Sequence, residues 1–175
     1  MTTVTSTDRI TKEVRINASV SRVWRALTDA REFGAWFGVQ LEGDFVAGRP
    51  IPGRFLEAIN PESIQRSQAK AGLPITPVHI PRTVTTFCTV VAVEPERYFA
   101  YRWIPYGVDA ESYPKDEPTT LVEFTLEPAG AGTQLTIVES GFDGIPAHRR
   151  ERAFRMNTGG WTGQGNNLKK YAETH

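Results

Sequence analysis

The sequence predicts an α+β fold, a curved antiparallel sheet of about seven strands wrapped around a long C-terminal helix. Three observations predict it. Segments of alternating hydrophobicity recur from Ile10 to Ile137, and a period of two marks a half-buried strand. Most of these segments are joined by short turns, which favour antiparallel neighbours. The stretch from Pro146 to Glu173 then changes period, with apolar or small residues at Phe154, Thr158, Trp161, Gly165, Leu168 and Ala172, on one face of a helix. At 1.5 Å per residue that helix would be about 40 Å long, enough to cross a small domain. A sheet gripping it would leave an enclosed space between them.

In Ile10–Ile16, the residues Ile10, Lys12, Val14 and Ile16 alternate with Thr11, Glu13 and Arg15. This is a strand whose inner face only Lys12 interrupts. Asn17–Ser21 offers helix caps, and Val20, Val23, Trp24 and Leu27 follow at helical spacing to a stop near Thr28-Asp29. A second short helix covers Ala30–Phe37, and Gly38 ends it. Val39–Phe45 and Arg54–Ile59 read as strands joined by a turn around Ala47-Gly48, with Pro50, Pro52 and Gly53 punctuating the entry to the second. Thr83–Val93 is a strand, Glu94-Pro95-Glu96 a turn, and Arg97–Ile104 an aromatic strand with Phe99, Tyr101 and Trp103 on one face. Pro105–Pro118 is a polar loop carrying Tyr106 and Tyr113. Val122, Phe124 and Leu126 alternate with Glu123, Thr125 and Glu127. After a turn at Gly130–Gly132, Leu135 and Ile137 alternate with Gln134 and Thr136, and Glu139 falls on their apolar side.

Two stretches depart from this regularity. Asn60–Arg82 lies between two strands: Asn60 can cap a helix, Pro61 fits its first turn and Gly72 its end, and Pro74, Pro77 and Pro81 follow. Residues 60–82 are expected as an insertion on the surface, helical and then extended, either a passive excursion or a lid. In the C-terminal helix, Gly159, Gly160, Gly163 and Gly165 would together cost roughly 3–4 kcal/mol relative to alanine. Close approach of another backbone would justify them, as would volume left beside Trp161 by Thr158 and Gly165. The alternative is two shorter helices broken at Gly159-Gly160. Arg149, Arg150, Glu151, Arg155 and Lys169 are expected to face water.

Composition bounds the function. A chain of 175 residues fits one domain, 9–175, preceded by a disordered polar tail at 1–8. Lys+Arg and Asp+Glu are both 20, so no basic field is available for phosphates and nucleic acid is not an expected partner. Cys88 is the sole cysteine, which excludes an internal disulfide and two-cysteine redox chemistry. No apolar run approaches a membrane span, and the polar start lacks a signal-peptide core. A cytoplasmic protein without membrane association is expected. His79, His148 and His175 show no ligand spacing, so neither metal nor cofactor is expected. Nucleophile-elbow and strand-linked GxGxxG motifs are absent.

Five segments follow one another over nearly all of Ile10–Tyr171: VSRVWRALTDAREFGAWFG at Val20–Gly38, RYFAYRW at Arg97–Trp103, TTLVEFTLEP at Thr119–Pro128, GTQLTIVESGFD at Gly132–Asp143 and AFRMNTGGW at Ala153–Trp161. Each is weak alone. As a set they resemble the heat-shock ATPase activator homologue (AHSA-type) family of the helix-grip, START-like (SRPBCC, polyketide-cyclase-like) superfamily. The chain departs from that pattern at Gly165, where relatives commonly carry a larger apolar residue, and at the long 60–82 insertion. The resemblance implies a cavity for a small hydrophobic molecule, a link to stress response, and compatibility with a homodimer. The family's eukaryotic co-chaperones carry an additional N-terminal domain, so ATPase activation is not expected of this chain.

Small-ligand pockets are usually lined by aromatic side chains with a few polar groups. The candidates are Trp36, Tyr101, Trp103, Phe124, Phe154, Thr158, Trp161 and Gly165, with Glu139 as the ionisable member. Each aromatic also fits a plain core role. Strand parity turns Glu139 toward the grip, where a desolvated carboxylate has a raised pKa or needs a partner. The alternative is a solvated position at the rim. Arg102 has the opposite parity from Trp103 and is not an obvious partner. Three functions follow: a non-catalytic binder of a small hydrophobic molecule, which is the preferred expectation; a polyketide-cyclase-like enzyme with Glu139 as acid or base helped by Tyr101; and a protein-binding module related to the ATPase activators.

Overall fold

The computed structural model describes residues 8–106 and 117–175. The expected tail up to residue 7, and Tyr113 with most of the expected polar loop, lie outside the described residues. The chain runs β1 (Arg9–Ile16), α1 (Val20–Thr28), α2 (Ala30–Phe37), β2 (Val39–Leu41), β3 (Pro50–Phe55), α3 (Pro61–Lys70), β4 (Thr83–Glu94), β5 (Tyr98–Trp103), β6 (Thr120–Ala129), β7 (Gly132–Ser140), a 3-10 turn (Phe142–Gly144) and α4 (Ala147–Thr174). The strands form one seven-stranded sheet in the order β1-β7-β6-β5-β4-β3-β2, antiparallel throughout. The predicted α+β helix-grip architecture is the observed one. Among the described residues no helix is long and apolar enough to cross a membrane.

Local signals in the sequence position the helices. The Ser19 side chain accepts from the Arg22 N–H at 3.1 Å and starts α1. Asp29 ends α1 and caps α2, accepting from the N–H groups of Arg31 at 2.9 Å and Glu32 at 3.2 Å. Gly38, at φ 99°, closes α2 in a left-handed conformation that favours glycine. Asn60 and Ser63 form a capping box at the start of α3, with Pro61 in the first turn where its missing N–H costs nothing.

Two strand expectations need correction. β2 covers only Val39–Leu41, and its partner is Pro50–Phe55 rather than Arg54–Ile59. Pro52 and Gly53 are therefore inside a strand, not before it. The register of β3 against β4 shifts between Ile51 and Gly53, a bulge that tolerates the missing N–H of Pro52. Gly53 is there for space: a Cβ would meet Val39 Cγ2 at 3.1 Å, Leu41 Cδ2 at 3.3 Å and Phe87 Cβ at 3.3 Å.

The C-terminal helix is continuous from Ala147 to Thr174 and runs through all four glycines. Its buried stripe is Ala153, Met156, Trp161, Gly165, Leu168 and Ala172. Phe154 and Thr158, expected on that stripe, are half-buried beside it. Arg149, expected in water, is buried. Its guanidinium pairs with Glu117 at 2.9 Å and donates to the carbonyls of Pro105 at 2.8 Å and Tyr106 at 3.1 Å.

The glycines divide into two kinds. At Gly165 a Cβ would meet Val14 Cγ2 at 3.1 Å and Ile137 Cδ1 at 3.8 Å, so this residue lets α4 approach β1 and β7. It does not widen a cavity, which corrects the volume role expected for it. At Gly159, Gly160 and Gly163 a Cβ would meet nothing within 4 Å. Substitutions should separate the two kinds. Gly165→Leu is expected to destabilise by about 1–3 kcal/mol through overpacking, whereas Gly159→Ala should stabilise by up to about 1 kcal/mol through helix propensity. Chemical denaturation of the two variants checks this; a stabilising Gly165→Leu would show that the contact with Val14 is slack.

Candidate functional site

Between α4, α3 and the sheet lies a cleft of about 850 Å³, within the ordinary range for small-molecule sites. Its floor is aromatic: Phe37 from α2, Phe55 from β3, Phe87 from β4 and Trp103 from β5. Trp103 packs against Phe37, Phe87 and Trp161 at centroid distances of 5.9, 5.9 and 5.6 Å. The α4 wall combines Phe154, Thr158 and Trp161 with Gly159, Gly160 and Gly163, and the insertion supplies Ile64, Ser67, Lys70 and Ala71.

The insertion is fastened over this cleft by polar bonds. Gln68 is fully buried on an otherwise polar helix. Its amide N–H donates to the Tyr106 hydroxyl at 2.7 Å and to Thr76 Oγ1 at 2.9 Å, and its carbonyl accepts from the Thr76 N–H at 3.0 Å. Arg152 and Arg155 on α4 donate to Thr76 Oγ1 at 3.1 Å and to the Ala71 carbonyl at 2.6 Å.

Glu139 lies one layer behind the aromatic wall. It is fully buried, and four neutral donors reach its carboxylate. Oε2 accepts from Trp103 Nε1 at 2.7 Å and Thr120 Oγ1 at 2.6 Å. Oε1 accepts from Asn157 Nδ2 at 2.8 Å and Trp161 Nε1 at 2.9 Å. Four acceptor positions are what a carboxylate has. The rim position considered for Glu139 is excluded by this burial. Desolvation raises its pKa, and the bonds from Thr120, Trp103, Trp161 and Asn157 oppose that rise without cancelling it.

Of the sequence candidates, Trp103, Phe154, Thr158 and Trp161 line the cleft. The others stand apart from it. Trp36 donates its indole N–H to the Ala26 carbonyl at 2.8 Å, joining α2 to α1. Tyr101 packs behind Trp103 and Phe87, and Phe124 behind Trp161. Gly165 faces the sheet. Tyr101 is fully buried, its hydroxyl has no hydrogen-bond partner among the described residues, and desolvation holds its pKa far above the ordinary value. Buried Cys88 is likewise pushed up by desolvation, which makes it a poor thiolate former.

Sequence reasoning missed Phe37, Phe55, Phe87, Asn157 and Thr120. Asn157 was legible in principle: it stands one helical turn before Trp161, so both donors share a face. Thr120 opposes Trp103 in the β5–β6 register, a relation no local pattern encodes. Among the described residues, no group of three or more His, Cys, Asp or Glu could hold a metal ion.

The network predicts both a pH dependence and a mutational cost. The folded chain holds a proton on Glu139 at pH values where the unfolded chain has released it. The stability contribution is therefore full below the ordinary glutamate range and is lost as pH rises through the raised value. Glu139→Gln should remove that slope. It also turns an amide N–H₂ toward donors; even if Thr120 accepts, the Trp103 N–H is left unpaired, at about 1–3 kcal/mol. Urea titrations from pH 4 to 9 test this, and an unchanged stability and slope would refute the network.

The family comparison agrees with the geometry. Residues 17–173 match the model of the family described as activator of Hsp90 ATPase homolog 1-like protein. No curated protein matches the chain. Among solved structures, DynU16, a putative protein in the dynemicin biosynthetic locus, aligns with TM-score 0.60 and 22% identity over 95% of this chain and 48% of its own. This chain thus spans about half of that protein's length. Ms6760 from Mycobacterium smegmatis aligns with TM-score 0.63 and 16% identity over 94% of this chain and 90% of its own. The Aha1 dimer from Colwellia psychrerythraea gives 0.59 and 15% over 95% and 96%. At these identities the likeness shows the fold alone. With the family match over nearly its whole length, the chain belongs to the activator of Hsp90 ATPase homolog 1-like protein family.

Proposed function

We infer that this protein binds a small hydrophobic molecule in the cleft between the sheet, α3 and α4, without transforming it. The observation that carries this reading is the orientation of Trp103 and Trp161. Both line the cleft, yet both indole N–H groups are turned away to Glu139. The surface they offer an occupant is aromatic carbon, backed by Phe37, Phe55 and Phe87.

The enzyme alternative is weaker on the same observation. An acid or base must come within hydrogen-bond reach of the proton it moves. Glu139 does not line the cleft, and its acceptor positions are taken. Tyr101, its suggested helper, makes no hydrogen bond to it. A homodimer and a protein-binding role linked to stress response belong to the same reading as secondary proposals, supported by the family and by the dimeric Colwellia structure. A cytoplasmic setting is supported by the single free thiol, and the absence of a nucleic-acid partner by the zero net charge.

The neutral fluorophore N-phenyl-1-naphthylamine tests the central claim. It is expected to bind saturably with quenching of tryptophan emission. Gly160→Leu, where a Cβ meets nothing within 4 Å, should leave the fold intact, fill the cleft and weaken uptake by about tenfold or more, roughly 1.4 kcal/mol. Uptake equal in wild type and Gly160→Leu would place the dye elsewhere and remove the proposal.

A further inference from the structure

We propose that the occupant of the cleft is an amphipathic organic anion, with an apolar body on the indoles and an anionic head at the Lys70–Arg155 end. This rests on the binding reading above and names the ligand class within it. The argument starts from the charge of the lining. Lys70 and Arg155 both line the cleft, and among the described residues no Asp or Glu does. The two cations sit where α3 meets α4. Lys70 ends α3, and Arg155 reaches across from α4 to the Ala71 carbonyl at 2.6 Å. Glu151 stands 3.7 Å from the Arg155 guanidinium, but it is highly exposed and not part of the lining. Lys70 is exposed, and no hydrogen bond or ion pair to it appears among the described residues.

The indoles fix where the head cannot lie. Trp161 lies about 9 Å further along α4 from Arg155, at 1.5 Å per residue. Behind it and Trp103 sits the Glu139 carboxylate. An anionic group over the indoles would face that carboxylate across a single aromatic layer in a medium that screens poorly. The same group at the far end meets two cations near water, where hydration offsets less of the attraction than at a buried pair. The anionic head is therefore placed at Lys70 and Arg155, the only charged groups in the lining among the described residues, and a cationic head gains nothing there.

Two probes sharing one ring system separate the terms. 1-Anilinonaphthalene-8-sulfonate carries the anionic group, and N-phenyl-1-naphthylamine lacks it. The sulfonate is expected to bind about threefold to tenfold more tightly at low ionic strength, the range of a partly exposed charge pair. The gap should close in 1 M salt, where the screening length is about 3 Å. Lys70→Met should narrow the gap and Lys70→Glu should reverse it, each read as the ratio of the two probes' affinities, so that any change in the cleft common to both cancels. The methionine variant keeps the stem without opposing the α3 dipole, so it guards against fraying of that helix in the glutamate variant. If the neutral probe binds in the cleft but the sulfonate binds no tighter, or the gap survives both variants, the anion inference is wrong and the apolar-binding reading stands. If Gly160→Leu fails to weaken either probe, both fail together.

Discussion

A carboxylate held out of water, with no cation among the described residues in hydrogen-bond contact, is the constraint on which this structure turns. Glu139 is fully buried in the sheet, and its charge can persist there only if donors replace the water it has lost. The donors come from three elements: Trp103 on β5, Thr120 at the head of β6, and Asn157 and Trp161 on α4. Two of them stand one turn apart on the helix. The carboxylate therefore fixes the rotation of α4 about its axis as well as its distance from the sheet. A hydrophobic stripe alone would hold the helix less definitely, because apolar contact is not directional.

With that rotation set, the placement of the glycines follows. Gly165 lies one turn beyond Trp161 on the same face and meets Val14 and Ile137 where a larger side chain would push α4 off β1. Gly159, Gly160 and Gly163 fall on the other side of Trp161, into the cleft, where no neighbour within the chain requires them. Each costs the helix up to about 1 kcal/mol relative to alanine. The continuous helix survives because burial of Trp161, Leu168 and Ala172 and the bonds to Glu139 outweigh that cost. The insertion is held differently. Gln68, Thr76, Arg152 and Arg155 fasten it through hydrogen bonds, each worth about 1 kcal/mol net. Ile64, Ala71, Leu73, Val78 and Ile80 add apolar contact with the core to these bonds.

Periodicity made the sheet and helices legible because those signals are local. The alternation around Phe99, Tyr101 and Trp103 and the caps within Asn17–Ser21 and at Asn60 describe single elements, and each appears where its pattern places it. The strand at Pro50–Phe55 was not legible, because Pro52 and Gly53 break local rules for a tertiary reason, a bulge and a crowded crossing with Val39 and Phe87. Glu139 stood out by parity, but what surrounds it did not. Its partners lie 36, 19, 18 and 22 residues away. Phe55 and Phe87 join the floor for the same reason: their shared wall exists only once β3 and β4 are paired. Arg149 reads as a surface residue on the helical wheel, yet it is drawn inward by the carbonyls of Pro105 and Tyr106 and by Glu117.

The use of indole donors on Glu139 has a consequence for selectivity. A buried site rejects wrong ligands most strongly when its own polar groups would be left unpaired. Here the indole N–H groups of the floor are already paired with Glu139, so an occupant neither satisfies nor strands them. Discrimination over the aromatic floor is then by shape and apolar area, which is worth only about 1–3 kcal/mol per methylene-sized difference. Finer recognition has to come from the rim, where Lys70 and Arg155 meet solvent. A cleft built this way accepts a range of flat apolar bodies and sorts them by the group carried at one end. The same carboxylate that positions the helix thus also divides the cleft into an indifferent floor and a selective rim.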